Sequence, residues 1–277
     1  MNTIDKYGDK STAKMFLERT LDEFIDDQII NIGAEAFHGC SSLSTVSCSA
    51  VTFIGSSAFM SCSMLQTVDF PQLQSIESGA FQNCQALTQV TFQNVSSLPR
   101  DCFIMCSNIS SVILPNTIAL GYGALRGCKS LTYIDAPLLT RIEDIAFMDC
   151  AQLSTVDFSN VTYLGNGAFS LCSALANVSL PKAATISMYA FYSCISLERA
   201  FLPNAKTIGA NAFYNCRNLT TLIIGLDNSS VCQLYNSTVF IATPSNLSIY
   251  VPSSLYSSYI VASFWSLISS RIFSYTG

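Results

Sequence analysis

Charge is scarce in this chain. Of its 277 residues only 11% are Asp, Glu, Lys or Arg, and the 13 basic residues are outnumbered by 18 acidic ones. No basic stripe results, which argues against nucleic acid as a partner. From Asn228 to Ser270 no charged side chain occurs at all, which sets the C-terminal region apart. There is a single histidine, His38. Long apolar runs are missing as well. Half of the residues are hydrophobic and the mean hydropathy is +0.40, yet no stretch reaches the roughly 18 consecutive apolar residues of a spanning helix. The apolar residues are therefore spaced for a core. The stretch from Met1 to Thr20 carries charges throughout and lacks the apolar centre of a signal peptide. Either a leader was removed before numbering or the protein leaves the cell by another route. No G-x-S-x-G, P-loop or H-E-x-x-H is present.

What is abundant is periodic. Nine cysteines recur at one unvarying interval: Cys40, Cys62, Cys84, Cys106, Cys128, Cys150, Cys172, Cys194 and Cys216. Self-similarity at a fixed period of this size means a stacked solenoid, in which each unit buries its apolar face against its neighbours. Three residues after each Cys comes Leu or Ile, from Leu43 to Leu219, and six after comes Val46, Val68, Val90, Val112, Ile134, Val156, Val178, Ala200 or Leu222. Eight after stands Phe70, Phe92, Leu114, Phe158, Leu180 or Leu202. The spacing of two is strand alternation, with these side chains inward. Pro71, Pro115, Pro137, Pro181 and Pro203 follow and end the strand, since proline has no donor for a shared ladder. The rest of the unit reads I-G-x-x-A-F-x-x-C, as in Ala58-Phe59-Met60-Ser61-Cys62. Spacings of three and four predict one or two short helical turns.

The full unit, I-G-x-x-A-F-x-x-C-x-x-L-x-x-V-x-F/L-P, resembles the leucine-rich repeats of the BspA-like family over roughly residues 29–225. Two copies depart from it, with Asp101-Cys102-Phe103 and Ala124-Leu125 at the A-F position. The resemblance implies an α/β solenoid: a right-handed superhelix with a parallel sheet on its concave face, short helical turns on its convex face and a C-terminal capping helix. It also implies a bacterial or protozoan surface protein that serves as an adhesin or binding scaffold.

The expected organisation is an N-terminal segment and degenerate capping rung over 1–30, nine repeats over 31–227, and a degenerate last rung with a cap helix over 228–277. Counting back from Cys40 places a first rung at 18–32, with Leu21, Phe24, Ile29 and Ile32 in the apolar positions and Asp22, Glu23, Asp26 and Asp27 facing out. Near the other end, Val239-Phe240 takes the A-F position and Ile249-Tyr250-Val251-Pro252 the strand, if about five residues are inserted between Gly225 and Ser237. Leu255, Tyr259, Ala262, Trp265 or Ile268, and Ile272 then predict one amphipathic helix lying across the last rung.

A ladder spreads thiols along a line, whereas a metal needs them converging on one point, and stacked parallel side chains do not reach disulfide torsion. The nine are expected to be buried structural thiols. A serine in their place would bury a hydroxyl with no assured partner. Cys48, at an inward strand position, belongs to the core; Cys102 lies off the ladder; Cys232, in the irregular insertion, is the expected reactive thiol. His38 occupies a position held elsewhere by Met60, Gln82 and Ile104 and reads as an outward variable site. Asp135 and Asp157 face outward on successive rungs, but calcium wants six or more oxygens, so a solvated acidic pair is expected. No cofactor, metal or catalytic residue is assigned, and the chain is not expected to be an enzyme.

Recognition by a solenoid falls on the outward strand positions, five and seven after each Cys. Early rungs are bland there, but later ones carry Tyr133, Asp135, Asp157, Arg199 and Phe201, and these five form the expected binding patch. The expected function is adhesion to, or binding of, a host or cell-surface protein or glycan by an extracellular or surface-displayed module. A structural or receptor-binding component of a phage or prophage particle is the alternative. The expected state is a monomer, or one that associates weakly end to end.

Overall fold

The structure, a computed structural model, describes residues 3–4, 21–226 and 229–275. The start of the expected first rung, at positions 18–20, lies outside the described residues. The chain forms two compact units, Met1–Leu138 and Leu139–Gly277. Both are parallel-strand β-solenoids, with about 11 turns between them.

Each full turn carries a longer strand five to seven residues after its cysteine. In the first unit Glu23–Ile25, Thr45–Ser47 and Thr67–Asp69 make one parallel sheet, and Gln89–Thr91, Ser111–Ile113 and Tyr133–Asp135 another. In the second, Thr155–Asp157, Asn177–Ser179, Arg199–Leu202, Thr221–Ile224, Ser248–Pro252 and Ile272–Tyr275 make a sheet of six. Partners stand one repeat apart, so each column holds like residues: Val156 pairs with Val178, and Val178 with Ala200. That register is what a strict period demands, because a slip by one would turn every inward side chain outward.

Each turn also carries a two-residue strand at the Ile of the I-G motif, such as Phe53–Ile54 in the first unit and Tyr163–Leu164 in the second. The periodicity of three and four concealed it.

The A-F-x-x-C segment is not helical, which corrects the expectation of helical turns. Alternate N–H groups point to different places. Those of Ile145, Phe147 and Asp149 donate to Asn166, Ala168 and Ser170 one rung on, while those of Ala146, Met148 and Cys150 donate three residues back within the rung. An α-helix would send every donor four residues back. The alternation requires a left-handed residue at two places per rung, occupied in the second unit by Ile145 (φ 53°) and Asp149 (φ 62°), and then by Gly167 and Leu171. It satisfies the buried backbone of the corner by extending the ladder around it.

The core is a bundle of columns. Phe37, Phe59, Phe81 and Phe103 stack at centroid spacings of 5.0, 5.0 and 5.3 Å in the first unit. In the second unit Phe147, Phe169, Phe191, Phe213 and Phe240 stack at 5.0, 5.7, 5.3 and 5.7 Å. Glycine after the Ile serves close stacking: a Cβ on Gly209 would lie 2.5 Å from the backbone nitrogen of Met188.

At the C-terminal end Thr221 pairs with Ser248 and Phe213 stacks on Phe240. Each of these steps is longer by five than the regular repeat, so the expected insertion is present. The single capping helix is corrected. Short helical turns, Ser253–Leu255 and Tyr256–Tyr259, are separated from Trp265–Arg271 by Phe264 in the left-handed region (φ 63°), and Ile268 breaks the last stretch. Ile272 begins a strand that pairs with Ser248–Pro252. The reason is local: this stretch is rich in serine and β-branched residues, which favour turns and strands over helix interior. Tyr259 and Trp265 are nonetheless buried, and Trp265 closes the Phe stack, 5.9 Å from Phe240.

Candidate functional site

The outward face of the long-strand sheet in the second unit is built from two columns. One runs Thr155, Asn177, Arg199, Thr221, Ser248; the other runs Asp157, Ser179, Phe201, Ile223, Tyr250, Phe273. Strand alternation aims both columns away from the buried Val156, Val178 and Ala200. Asp157, Arg199 and Phe201 are thus brought onto one face. Arg199 is exposed, and among the described residues its guanidinium makes no ion pair. Phe201 stands two ladder steps from Asp157 in the same column, about 10 Å away, and Arg199 stands two residues before Phe201 on the same strand.

A shallow groove of about 420 Å³ runs over this face from Thr155 to Ile223. It opens because Ser179 and Thr221 are small, and Phe201 stands in it, 37% exposed. Beyond Phe201 the column turns apolar. Ile223 is half-buried, Tyr250 lies 5.9 Å from Phe273 by ring centroids, and Phe273 is 45% exposed. Tyr250 and Phe273 extend the patch and escaped the sequence reading. For Tyr250 the signal was present in the strand Ile249-Tyr250-Val251-Pro252; Phe273 lay inside what read as helix.

Tyr133 and Asp135 lie on the outward side of Tyr133–Asp135, the last long strand of the first unit. Tyr133 is 56% exposed and Asp135 half-buried. His38 is exposed, and among the described residues no group of three or more His, Cys, Asp or Glu is placed to hold a metal.

All twelve cysteines are buried. Cys232 is the correction among them: it is 1% exposed, its N–H donates to the Tyr259 hydroxyl at 2.8 Å, and its carbonyl accepts from the Trp265 indole at 2.6 Å. The insertion that carries it is pinned beneath the C-terminal turns. The ladder thiols have partners too. Cys62 Sγ donates to the Phe37 carbonyl and Cys84 Sγ to that of Phe59, each at 3.0 Å; in the second unit Cys172, Cys194 and Cys216 donate likewise to Phe147, Phe169 and Phe191. Burial pushes these thiols up, Cys172 and Cys216 to about 12, so they remain protonated. The arrangement offers a surface with an aromatic, a cation and an acid.

The profile of the family described as BspA type leucine rich repeat region matches in six copies, over residues 12–132 and 96–220. No curated protein matches the sequence. Similar solved structures include a leucine rich cell surface protein from Faecalibacterium prausnitzii (23% identity, 93% of this chain and 79% of that one, TM-score 0.40). Others are a leucine-rich repeat protein from Bacteroides ovatus (19% identity, 90% and 88%, TM-score 0.43) and the pneumococcal vaccine antigen PcpA (15% identity, 91% and 77%, TM-score 0.42).

Proposed function

From the premise that the chain belongs to the BspA-type leucine-rich repeat family, we propose that it is a non-catalytic binding module, surface-displayed or secreted, that recognises a protein or glycan through the long-strand face of its second unit. Arg199 and Phe201 are the anchors, with Asp157 beside them and Tyr250 and Phe273 extending the contact. Tyr133 and Asp135 are contact residues of the first unit in their own right. No helix of the described residues is long and apolar enough to cross a membrane.

The observation that carries the reading is the column Phe201–Ile223–Tyr250–Phe273, four large apolar side chains in register on the outward side of one sheet. The corresponding earlier positions hold Asp157 and Ser179. Core packing does not require this row, because the inward columns are already filled. Apolar side chains grouped on a surface beside an arginine are the composition of interface anchors.

The test is a binding screen of the purified chain against extracellular-matrix proteins, mucin glycans and bacterial cell walls, beside an Arg199→Glu/Phe201→Ser variant. Binding to a host component that the variant loses supports the reading. Binding to cell walls alone favours a component of a phage particle, and equal binding by both proteins moves recognition off this face.

A further inference from the structure

A second depression lies on the short-strand side of the second unit, over the paired strands Tyr163–Leu164, Thr185–Ile186, Thr207–Ile208 and Gln233–Leu234. Its volume is about 370 Å³, within the roughly 300–1,000 Å³ of small-molecule sites. The floor is a row of outward strand residues, Thr185, Thr207 and Gln233, held in register by the ladder. The hydroxyl of Thr207 donates to that of Thr185 at 3.3 Å, so the floor presents a linked line of neutral donors and acceptors. Asn166 and Met188 form one wall. Tyr235 stands at the far end, tied down by its N–H to the Ile208 carbonyl at 2.9 Å. It directly follows Leu234, which pairs with Ile208. Tyr235 is 68% exposed, and none of the aromatic contacts among the described residues engages its ring.

We propose that this depression binds a neutral oligosaccharide. The chemistry excludes the obvious competitors. No charged side chain lines it, so a phosphate, a carboxylate or a basic peptide would meet no counter-charge. An apolar ligand would cover the Gln233 amide and the Thr185 hydroxyl and take their remaining donors and acceptors out of water, whereas the Asn166 amide is already held by Asp144. A sugar ring has a hydroxyl rim for those groups and an apolar C–H face for a tyrosine, which offers a flat apolar body with a polar tip. The sequence alone did not show the site, because Tyr235 sits in the insertion that interrupts the period, and the floor is assembled from a strand that read as turn. The site lies on the short-strand sheet, apart from the face of Arg199 and Phe201, and does not rest on the function proposed above.

The experiment is isothermal titration of the full chain with cellotriose, maltotriose and triacetylchitotriose, with sialyllactose as the charged control. The expected result is that at least one neutral saccharide binds. Tyr235→Ala should weaken it about tenfold or more, Thr207→Val should weaken it too, and Arg199→Glu/Phe201→Ser should leave it unchanged. An unaltered thermal midpoint of Tyr235→Ala shows that folding is intact. The proposal is overturned if no neutral saccharide binds at millimolar concentration, if only the charged sugar binds, or if affinity survives Tyr235→Ala.

Discussion

The thiol of Cys172 donates to the carbonyl oxygen of Phe147, one rung back and 3.1 Å away. The same oxygen accepts the N–H of Cys150 at 3.1 Å. A corner carbonyl, buried where no water reaches, thus uses both lone pairs, and its second donor comes from the next rung. This relationship explains why the ladder holds cysteine and not alanine. Apolar burial alone would accept either.

It also reverses a judgement reached from the sequence. Serine at such a position would bury a hydroxyl, but the Phe147 carbonyl stands ready to accept from it. Cys172→Ala removes the donor and leaves a small void, and should cost about 1–2 kcal/mol in denaturant unfolding. Cys172→Ser keeps a donor and should cost less. The opposite order would show that the thiol bond adds little and that apolarity alone selects cysteine.

Alkaline pH should destabilise the protein through these thiols. Loss of solvent pushes Cys48 up to about 11 and Cys172 and Cys216 to about 12, from 9.0. Below pH 9 they are protonated both folded and unfolded, so they impose no pH dependence. Between pH 9 and about 11–12 the unfolded chain releases these protons and the folded chain holds them, so stability falls as pH rises. Thermal midpoints from pH 7 to 11 should show a steepening decline above about 9. Cys172→Ala/Cys216→Ala should decline less steeply, and a slope unchanged by both substitutions would contradict the assignment.

Phe169 is stacked between Phe147 at 5.0 Å and Phe191 at 5.7 Å and is fully buried. Phe169→Ala should cost about 3–5 kcal/mol. A loss well below that range in urea unfolding would mean that neighbouring rungs collapse into the space, and the Phe column would not be a fixed element of the core.

Two glycines should respond differently to substitution. Gly209→Ala forces a Cβ against the Met188 backbone and should cost about 1–3 kcal/mol, the usual range for overpacking. Gly167 needs the left-handed region (φ 59°), which Asn211 occupies at the corresponding position (φ 56°). Gly167→Asn should therefore be nearly neutral. Thermal unfolding of both variants checks the pair, and equal losses would remove the distinction between close approach and backbone conformation.

The columns were legible in the sequence because a strict period writes the inward residues out directly: Cys, Leu, Val and Phe at fixed offsets, and a strand between the Val and the proline. The corner was not legible. Its left-handed positions are filled by Glu35, Ser57, Ile145 and Tyr189 as well as by Gly79, so no residue type marks them, and Ile145 and Tyr189 hold a conformation that only the ladder bonds of the stack enforce. Spacings of three and four fitted a helix equally well. The C-terminal cap misled for a related reason: Tyr259, Trp265 and Ile272 are indeed inward, but a chain that turns back on itself at Phe264 delivers them as well as a helix would. Of the candidate site, Asp157, Arg199 and Phe201 could be placed on one face from the strand alternation alone. Tyr250 and Phe273 join them only through pairing across the irregular last rungs.

The most direct measurement is the dissociation constant of whichever host component the screen retains, for wild type and for Phe201→Ser. The long-strand face of the second unit predicts a weakening of about tenfold or more with the thermal midpoint unchanged, since Phe201 is partly exposed and outward. An unchanged dissociation constant would contradict recognition through this face.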